Sequence, residues 1–308
     1  MLQTSPLMRT PFMLTLLQIL IWNGSKKLAK IKLLTDSSVQ LTPEEIKKYN
    51  VTIVPLTINI DGENYIDEVD ISRTEFVEKM ATSKELPSTS QPAIGKFVEV
   101  FKDLIADGSQ VLAIMMAESL SGTVNAARQA VQILETDQIT VIDCEYTDRA
   151  QGQQIIAAAA DIEAGLSMDE IVAHVKEIQS KTYLKLVVVN LDNIIKGGRL
   201  GKSTGRIATL LNIKAILKME NGKLDIASKG RGQKTVTKFK NEVLETIKNT
   251  KDIVEIGLSH VAAKLEMEEF AEKIHEINPS VPVLVRETSS IVATHAGTGA
   301  FAVIFYTK

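Results

Sequence analysis

Residues 109–143, SQVLAIMMAESLSGTVNAARQAVQILETDQITVID, decide the expected fold. The run VLAIMM within 109–116 is typical of a buried strand, and a second aliphatic run covers 139–142. Between them, apolar residues recur at helical spacing over 123–134. The order strand, loop, helix and strand predicts a parallel sheet with helices on its faces.

The same alternation extends towards the N-terminus. Residues 31–34 predict a short strand, and Thr42-Pro43-Glu44-Glu45 has the cap, proline and acids that begin a helix. Residues 51–60 (VTIVPLTINI) predict one strand that ends at the turn signal Asp61-Gly62, and 72–80 predict a helix. In such sheets ligands bind at the carboxyl ends of the strands, where this chain has loops rich in hydroxyls.

The pattern changes after residue 165. A helix is predicted over 151–164 with Gly165 as its end, and Ser167-Met168-Asp169-Glu170 begins another with capping-box spacing. The remaining predicted elements are strands at 184–189, 214–219, 224–228, 254–259, 281–286 and 300–306, a hairpin at Asn221-Gly222 and a helix at 265–277. We therefore expect an α/β fold, with an N-terminal parallel-sheet α/β domain (30–165) and a C-terminal mixed or antiparallel α+β domain (166–308).

Composition indicates a globular protein and excludes several functions. Of the 308 residues only 5% are aromatic, which argues against a stacking surface for single-stranded nucleic acid. A formal net charge of −3 also argues against a general phosphate-binding surface, so we expect no nucleic-acid partner. Cys144 is the single cysteine, which excludes an internal disulfide and fits a reducing, cytoplasmic compartment.

Residues 1–29 differ from the rest of the chain. Residues 11–22 (PFMLTLLQILIW) are apolar, but they are fewer than the roughly 20 that span a bilayer. A secretory signal or a membrane-surface segment is the alternative, although Arg9 is a weak basic region and no small-residue cleavage site follows. We expect an extension outside the fold, ahead of a domain that begins near Lys30.

Three segments combine hydroxyls with glycine or proline, and each is expected to follow a strand or an extended stretch. Glycines let backbone N–H groups approach an anion closely, and hydroxyls add neutral donors. A carboxylate accepts several such bonds without a full counter-charge. Each segment alone is equally typical of a turn or a helix cap, as Ser121 before a helix illustrates. The segments are 87–92 (PSTSQP), 119–123 (SLSGT) and 294–299 (THAGTG).

Six short blocks, in order from about residue 30 to the C-terminus, resemble the signature blocks of the DegV family. The blocks are Thr35-Asp36-Ser37-Ser38, Val54-Pro55-Leu56, Ser88-Thr89-Ser90-Gln91-Pro92, Leu120-Ser121-Gly122-Thr123, Lys196-Gly197-Gly198-Arg199 and His295-Ala296-Gly297-Thr298-Gly299. The chain departs from the usual pattern where Ala293 replaces a glycine and Thr298 a proline. Glu118 stands where a serine is common, and its carboxylate would raise the pKa of a bound acid or face away.

The resemblance implies a two-domain fold that encloses one long-chain fatty acid. It implies that Thr89 and Ser121 bind the carboxylate, and we assign the neighbouring Ser90 and Gly122 to the same site. His295 would lie near the head group, where a pKa near 6.5 would add partial positive charge.

The resemblance also implies a partner. The best-understood members present the carboxylate to a separate ATP-dependent fatty acid kinase and then carry the acyl phosphate. Arg199 would lie towards the mouth of the site, and we expect Arg199 and Lys202 to contact the kinase or the phosphate. We expect no cofactor other than the bound fatty acid, and transient contact with a membrane surface is compatible with this role.

Two alternatives remain open. A serine hydrolase would use Ser121 and His295 as nucleophile and base, with Asp36 or Asp143 as the orienting acid, but no G-x-S-x-G sequence is present. A carrier of a small polar anion would need less apolar surface than residues 207–217 offer. No cluster has metal-ligand spacing, and the stretch ending at Lys202-Ser203 lacks the first glycine of a P-loop.

Overall fold

The computed structural model describes residues 30–200 and 213–308. Its strands are β1 (Ile31–Asp36), β2 (Thr52–Val54), β3 (Thr57–Ile60), β4 (Glu63–Ile66), β5 (Ser88–Ser90), β6 (Gln110–Met115), β7 (Ile139–Asp143), β8 (Thr182–Val188), β9 (Ile213–Glu220), β10 (Lys223–Arg231), β11 (Ile253–His260), β12 (Val283–Glu287) and β13 (Phe301–Thr307). Its helices are α1 (Pro43–Tyr49), α2 (Arg73–Thr82), α3 (Ile94–Ile105), α4 (Thr123–Leu134), α5 (Asp148–Glu163), α6 (Met168–Ser180), α7 (Asp192–Lys196), α8 (Gln233–Asn249), α9 (Lys264–Ile277) and α10 (Ser290–Ala296).

The two large sheets confirm the predicted fold class. Strands β2, β1, β6 and β7 form a parallel sheet in that order. The second sheet has the order β10-β9-β8-β13-β11-β12 and is antiparallel except for the pair β11 and β12. A parallel-sheet domain is thus followed by a mixed-sheet domain, while the predicted boundary near residue 165 stays a prediction.

Local signals at the ends of elements are also confirmed. Thr42 and Ser167 form capping boxes at the starts of α1 and α6. Asn221 and Gly222 join β9 to β10 with φ of 49° and 70°, the positive values that a tight two-residue hairpin requires.

Residues 51–60 form two strands rather than the single strand predicted. Pro55 has no N–H with which to continue the ladder, and the N–H of Leu56 donates instead to Ser37 Oγ at 3.1 Å. After this break β3 pairs with β4 and β5 in a small antiparallel sheet that was not predicted. This small sheet matters for the candidate site because its strand β5 carries Thr89 and Ser90.

Residues 294–296 lie in the last turn of helix α10, rather than after a strand or an extended stretch as predicted. Ser289 begins this helix and accepts a hydrogen bond from the N–H of Val292 at 3.2 Å. Gly297 ends it with a φ of 78°, a conformation that glycine adopts without steric cost. His295 is therefore held by a helix.

Helix α5 joins the two sheets. Its buried face shares one aliphatic core with Leu33 and Leu112 of the parallel sheet and with Val188 and Leu217 of the mixed sheet. Helices α3 and α4 cover the other face of the parallel sheet, and α8 and α9 cover the outer face of the mixed sheet. Both sheets are thereby fixed relative to α5, which positions the loops of one against the inner face of the other.

Candidate functional site

A cavity of about 340 Å³ lies between the loops that follow the parallel strands and the inner face of the mixed sheet. Its mixed-sheet wall is aliphatic, because alternate residues of a strand point to the same face. Leu184 is paired with Ile304, and Leu186 with Ala302, across β8 and β13. Leu224 of β10 is paired with Met219 of β9, and all six side chains line the cavity.

Polar residues from five separate segments line the same cavity. Six of the predicted site residues are brought together there: Thr89, Ser90, Ser121, Gly122, Arg199 and His295. Lys202, the remaining predicted residue, lies outside the described residues. Because the polar residues and the aliphatic wall belong to one cavity, the site suits an amphipathic molecule with a polar head and a long apolar part.

Thr89 and His295 meet directly although they are far apart in the sequence. Thr89 Oγ1 lies 3.2 Å from His295 Nε2, and the donor in this pair depends on the imidazole tautomer. The amide of Asn193 donates to the carbonyl of Thr294 at 2.9 Å and so positions the last turn of α10. Gly197 packs against the ring, since a Cβ there would lie 2.5 Å from His295 Nδ1. These contacts fix the orientation of the imidazole.

His295 is neutral at pH 7, which differs from the expected partial positive charge. Burial, the larger cause, and the neighbouring charge of Arg199 together lower the pKa of His295 to about 4. The Nδ1 atom is buried without a hydrogen-bond partner among the described residues. A neutral imidazole can still donate one hydrogen bond to an anion.

Ser121 lies between the end of β6 and the start of α4. The Ser121 hydroxyl is 2.8 Å from the Thr123 hydroxyl. It also accepts a long hydrogen bond, 3.4 Å, from the backbone N–H of Thr123. Gly122 lies against Gln91, because a Cβ at that position would be 2.1 Å from Gln91 Oε1. The segments around Thr89 and Ser121 therefore pack against each other, and a side chain at position 122 would require Gln91 to move.

Arg199 is the only lysine or arginine among the described residues of the cavity wall. Its Nε donates to the carbonyl of Leu120 at 3.2 Å, and its Nη1 donates to the carbonyl of Gly197. Among the described residues no carboxylate pairs with it. The guanidinium is thus held next to Ser121, where its positive charge can attract an anion.

Glu118 faces away from the cavity. Its carboxylate accepts hydrogen bonds from Asn125 at 3.0 Å and from Arg128 at 3.1 Å, and these bonds lower the pKa of Glu118. The sequence left two possibilities for Glu118, namely that it raises the pKa of a bound acid or that it faces away. The structure shows that Glu118 faces away.

The geometry gives little support to a hydrolase. Within residues 30–200 and 213–308, no hydrogen bond joins Ser121 to His295, whose Nε2 contacts Thr89 instead. Asp36 is engaged by Ser38, Gln151 and the N–H of Met116, so it does not orient the imidazole.

The described residues offer neither a metal site nor a membrane-spanning helix. They contain no group of three His, Cys, Asp or Glu side chains that could hold a metal ion. No helix among them is both long and apolar enough to cross a bilayer.

Several contributors to the site were not predicted. Gln91 lies in the segment 87–92, which was predicted to contribute to the site, but Gln91 itself was not assigned to it. Thr123, Asn193 and Gly197 act through contacts with Ser121, Thr294 and His295. Thr123 and Gly197 lie in quoted sequence blocks but were not assigned to the site, and Asn193 lies in no such block.

Comparison with known proteins gives three consistent findings. A model of the family described as "Uncharacterised protein, DegV family" matches residues 30–308. A DegV domain-containing protein of Listeria innocua is 44% identical over 280 residues, covering 90% of this chain and 99% of that protein.

Solved structures agree in the fold. The crystal structure of "DegV, a fatty acid binding protein" from Bacillus subtilis has a TM-score of 0.83 at 26% identity and covers 91% of this chain and all, 100%, of that one. A stearic acid-binding protein from Eubacterium ventriosum has a TM-score of 0.80 at 26% identity, covering 90% of this chain and 98% of that chain.

Proposed function

The chain belongs to the DegV family, and from this premise we propose that it binds one long-chain fatty acid in the cavity. The observation that carries the proposal is a single cavity that has hydroxyls, an imidazole and an arginine in one part of its wall and an aliphatic sheet face in another. Relatives of the same fold are described as fatty acid binding and stearic acid-binding proteins.

The carboxylate would accept hydrogen bonds from Thr89 and Ser121. Ser90 and Gly122 would line the same part of the carboxylate site. Hydrogen bonds to the ionised form favour the carboxylate over the neutral acid. Neutral His295 would add one donor, and Arg199 would supply the charge that balances the anion.

The acyl chain would lie along the aliphatic wall formed by β8, β9, β10 and β13. Each buried methylene contributes roughly 0.8 kcal/mol, so the chain supplies most of the affinity and the head group sets the orientation. A small polar anion would leave this wall in contact with water, which makes that alternative the weaker one.

We propose further that the protein is a carrier and that the chemistry takes place on a separate ATP-dependent kinase. The bound carboxylate would be presented to that enzyme, and the acyl phosphate would then be carried in the same cavity. Arg199 and Lys202 would contact the kinase or the phosphate. No further cofactor is needed for binding, and we propose a cytoplasmic carrier that contacts a membrane surface transiently.

Lys229, Arg231 and Lys234 line a different groove, together with Phe239 of α8. Phe239 packs on the outer face of the mixed sheet, whereas the cavity lies on the inner face. These three cations therefore suit an acidic protein or membrane surface better than the phosphate of a bound acyl phosphate.

The head-group assignment is tested by the double variant Thr89→Ala with Ser121→Ala. Hydrogen bonds to a charged group contribute about 1.5–3 kcal/mol each, so we expect at least a hundredfold weaker binding of octadecanoic acid by calorimetry. Thr237→Ala with Ser180→Ala, on α8 and α6, is the matched control and should bind normally. Undiminished binding by a folded double variant would refute the site.

The role of Arg199 is tested by Arg199→Ala in a reconstituted system of carrier, fatty acid, ATP and kinase. We expect phosphorylation of the bound acid to fall by at least tenfold and lipid uptake to fall less, because the chain dominates affinity. Arg128→Ala, at a partly exposed position outside the cavity wall, is the control. Equal loss of uptake and phosphorylation would assign Arg199 to the head group alone.

A further inference from the structure

The aliphatic wall of the cavity has two distinct ends. Leu186 of β8 and Ala302 of β13 are paired at one end. Helix α10 packs against this pair, because its Val292 and Ala296 line a small void together with both residues. The same helix carries His295, so this end of the wall is the one nearest the proposed head-group site.

The register of the strands defines the path from this end to the other. Leu184 and Ile304 are paired two residues further along β8 and β13. The pairing of β8 with β9 places Leu184 next to Met219, and Met219 is paired with Leu224 of β10. These four side chains form one row across four strands, and all of them line the cavity.

The path from Ala302 to Leu224 has a definite length. It covers two residues along a strand and three spacings between strands, which amounts to about 16 Å. A fully extended chain advances about 1.2 Å per bond, so about thirteen bonds of an acyl chain fit along this path. The carboxylate and the carbons next to it lie before the path begins. An acid close in length to octadecanoic acid therefore fills the cavity.

The far end of the path is closed by the loop that follows β7. The hairpin residue Gly222 lies against Glu145 of this loop, since a Cβ at Gly222 would be 3.7 Å from Glu145 Cγ. The hydroxyl of Tyr146 lies 3.2 Å from the carbonyls of Gln179 and Thr182, so the same loop is fixed to the start of β8. Tyr146 is only 3% exposed. A chain that is too long for the path therefore meets packed protein.

We propose that Met219 and Leu224 set the upper limit of acyl chain length, so that the protein selects unbranched acids up to octadecanoic acid and rejects longer ones. The inference rests on the proposed function and deepens it by naming the class of acid. Both side chains are buried and lie at the end of the row. Each methylene that fits raises the affinity about fourfold, whereas a methylene beyond the limit has to displace packed side chains.

The test is a competition among the even-numbered saturated acids from dodecanoic to docosanoic acid. The acids are mixed in equal amounts with delipidated protein, and native mass spectrometry gives the occupancy of each. For the wild type we expect occupancy to rise up to octadecanoic acid and to fall at least tenfold by docosanoic acid. Leu224→Ala lengthens the path and should move this limit up by about two carbons, and Leu224→Phe should move it down.

Met219→Ala provides a second, independent variant and should also move the limit to longer acids. Ile226→Ala is the matched control, because Ile226 lies on the same strand and packs on the same core but is not among the described residues that line the cavity. The limit should be unchanged in this control.

Three results would overturn the inference and leave the proposed function standing. The first is wild-type protein whose occupancy does not fall beyond octadecanoic acid. The second is an unchanged limit in the Leu224 and Met219 variants, and the third is an equal shift in Ile226→Ala. Wild-type protein that binds none of the acids would instead overturn the proposed function.

Discussion

Burial sets the protonation state of His295 and so decides what this residue would contribute to the proposed carboxylate site. The pKa of His295 is lowered to about 4, so the imidazole is neutral through the physiological range. A protonated histidine would bind a carboxylate more strongly but would also carry a larger desolvation cost beside Arg199. In the proposed site neutral His295 would supply a hydrogen bond, and the positive charge would come from Arg199.

This protonation state predicts a pH dependence of stability. The pKa is about 4 in the folded protein against 6.5 normally, so the unfolded chain binds the proton first as pH falls. Between pH 7 and pH 4 the wild type should lose up to about 3 kcal/mol of unfolding free energy relative to His295→Gln. Urea titrations of both proteins across this range measure the difference.

The control is the imidazole titration itself, followed by NMR. It should give a midpoint near pH 4 for delipidated protein. A midpoint near the normal value, or parallel stability curves for the two proteins, would contradict the burial argument.

At the scale of elements, Arg149 connects three pieces of secondary structure. It lies in the first turn of α5, and its guanidinium donates to Glu45 of α1 at 2.7 Å and to Glu255 of β11 at 2.6 Å. The side chain is 1% exposed and fits beside Gly257, where a Cβ would lie 2.6 Å from Arg149 Cγ. A parallel-sheet helix is thereby tied to the mixed sheet by an ion network.

Arg149→Ala should destabilise the protein by about 3–5 kcal/mol, because removing the cation leaves two partly buried carboxylates without a partner. Arg128→Ala breaks the exposed pair with Glu118 and should cost less than about 1 kcal/mol. Denaturant unfolding of the two variants measures both effects. Similar losses in the two variants would show that the buried network adds nothing beyond a surface ion pair.

At the scale of the whole molecule, the cavity lies between the two large sheets and is lined by residues from both parts of the fold. Its aliphatic wall comes from β8, β9, β10 and β13, and much of its polar lining comes from loops of the parallel-sheet domain. A ligand there buries apolar surface against both parts at once. Ligand binding and global stability are therefore linked.

Delipidation should lower the melting temperature by about 5–10 °C. A ligand at a hundred times its Kd stabilises by about 2.7 kcal/mol, and each kcal/mol shifts the midpoint by roughly 2–4 °C in chains of about 150–250 residues. Calorimetry before and after lipid extraction, with octadecanoic acid added back, measures the shift. The double variant Thr89→Ala with Ser121→Ala should show a smaller shift, and equal midpoints in all samples would contradict the linkage.

The sequence by itself determined the elements and their class. Strand–loop–helix alternation around 109–143, the capping boxes at Thr42 and Ser167 and the Asn221-Gly222 hairpin are local signals, and each corresponds to the observed structure. Local propensity and hydrophobic period act over a few residues, so a sequence shows them directly. Thr89, Ser121 and His295 were identified as candidates by the resemblance of short blocks to the DegV family, not by local propensity.

Only the tertiary structure decided how those residues act. Thr89 and His295 are 206 positions apart, and their contact depends on an unpredicted small sheet and on a helix that replaces an expected loop. The lowered pKa of His295 and the packing of Gly197 against its ring arise from burial by distant segments. Burial is a property of the packed chain, so the electrostatics of the site cannot be inferred from local sequence alone.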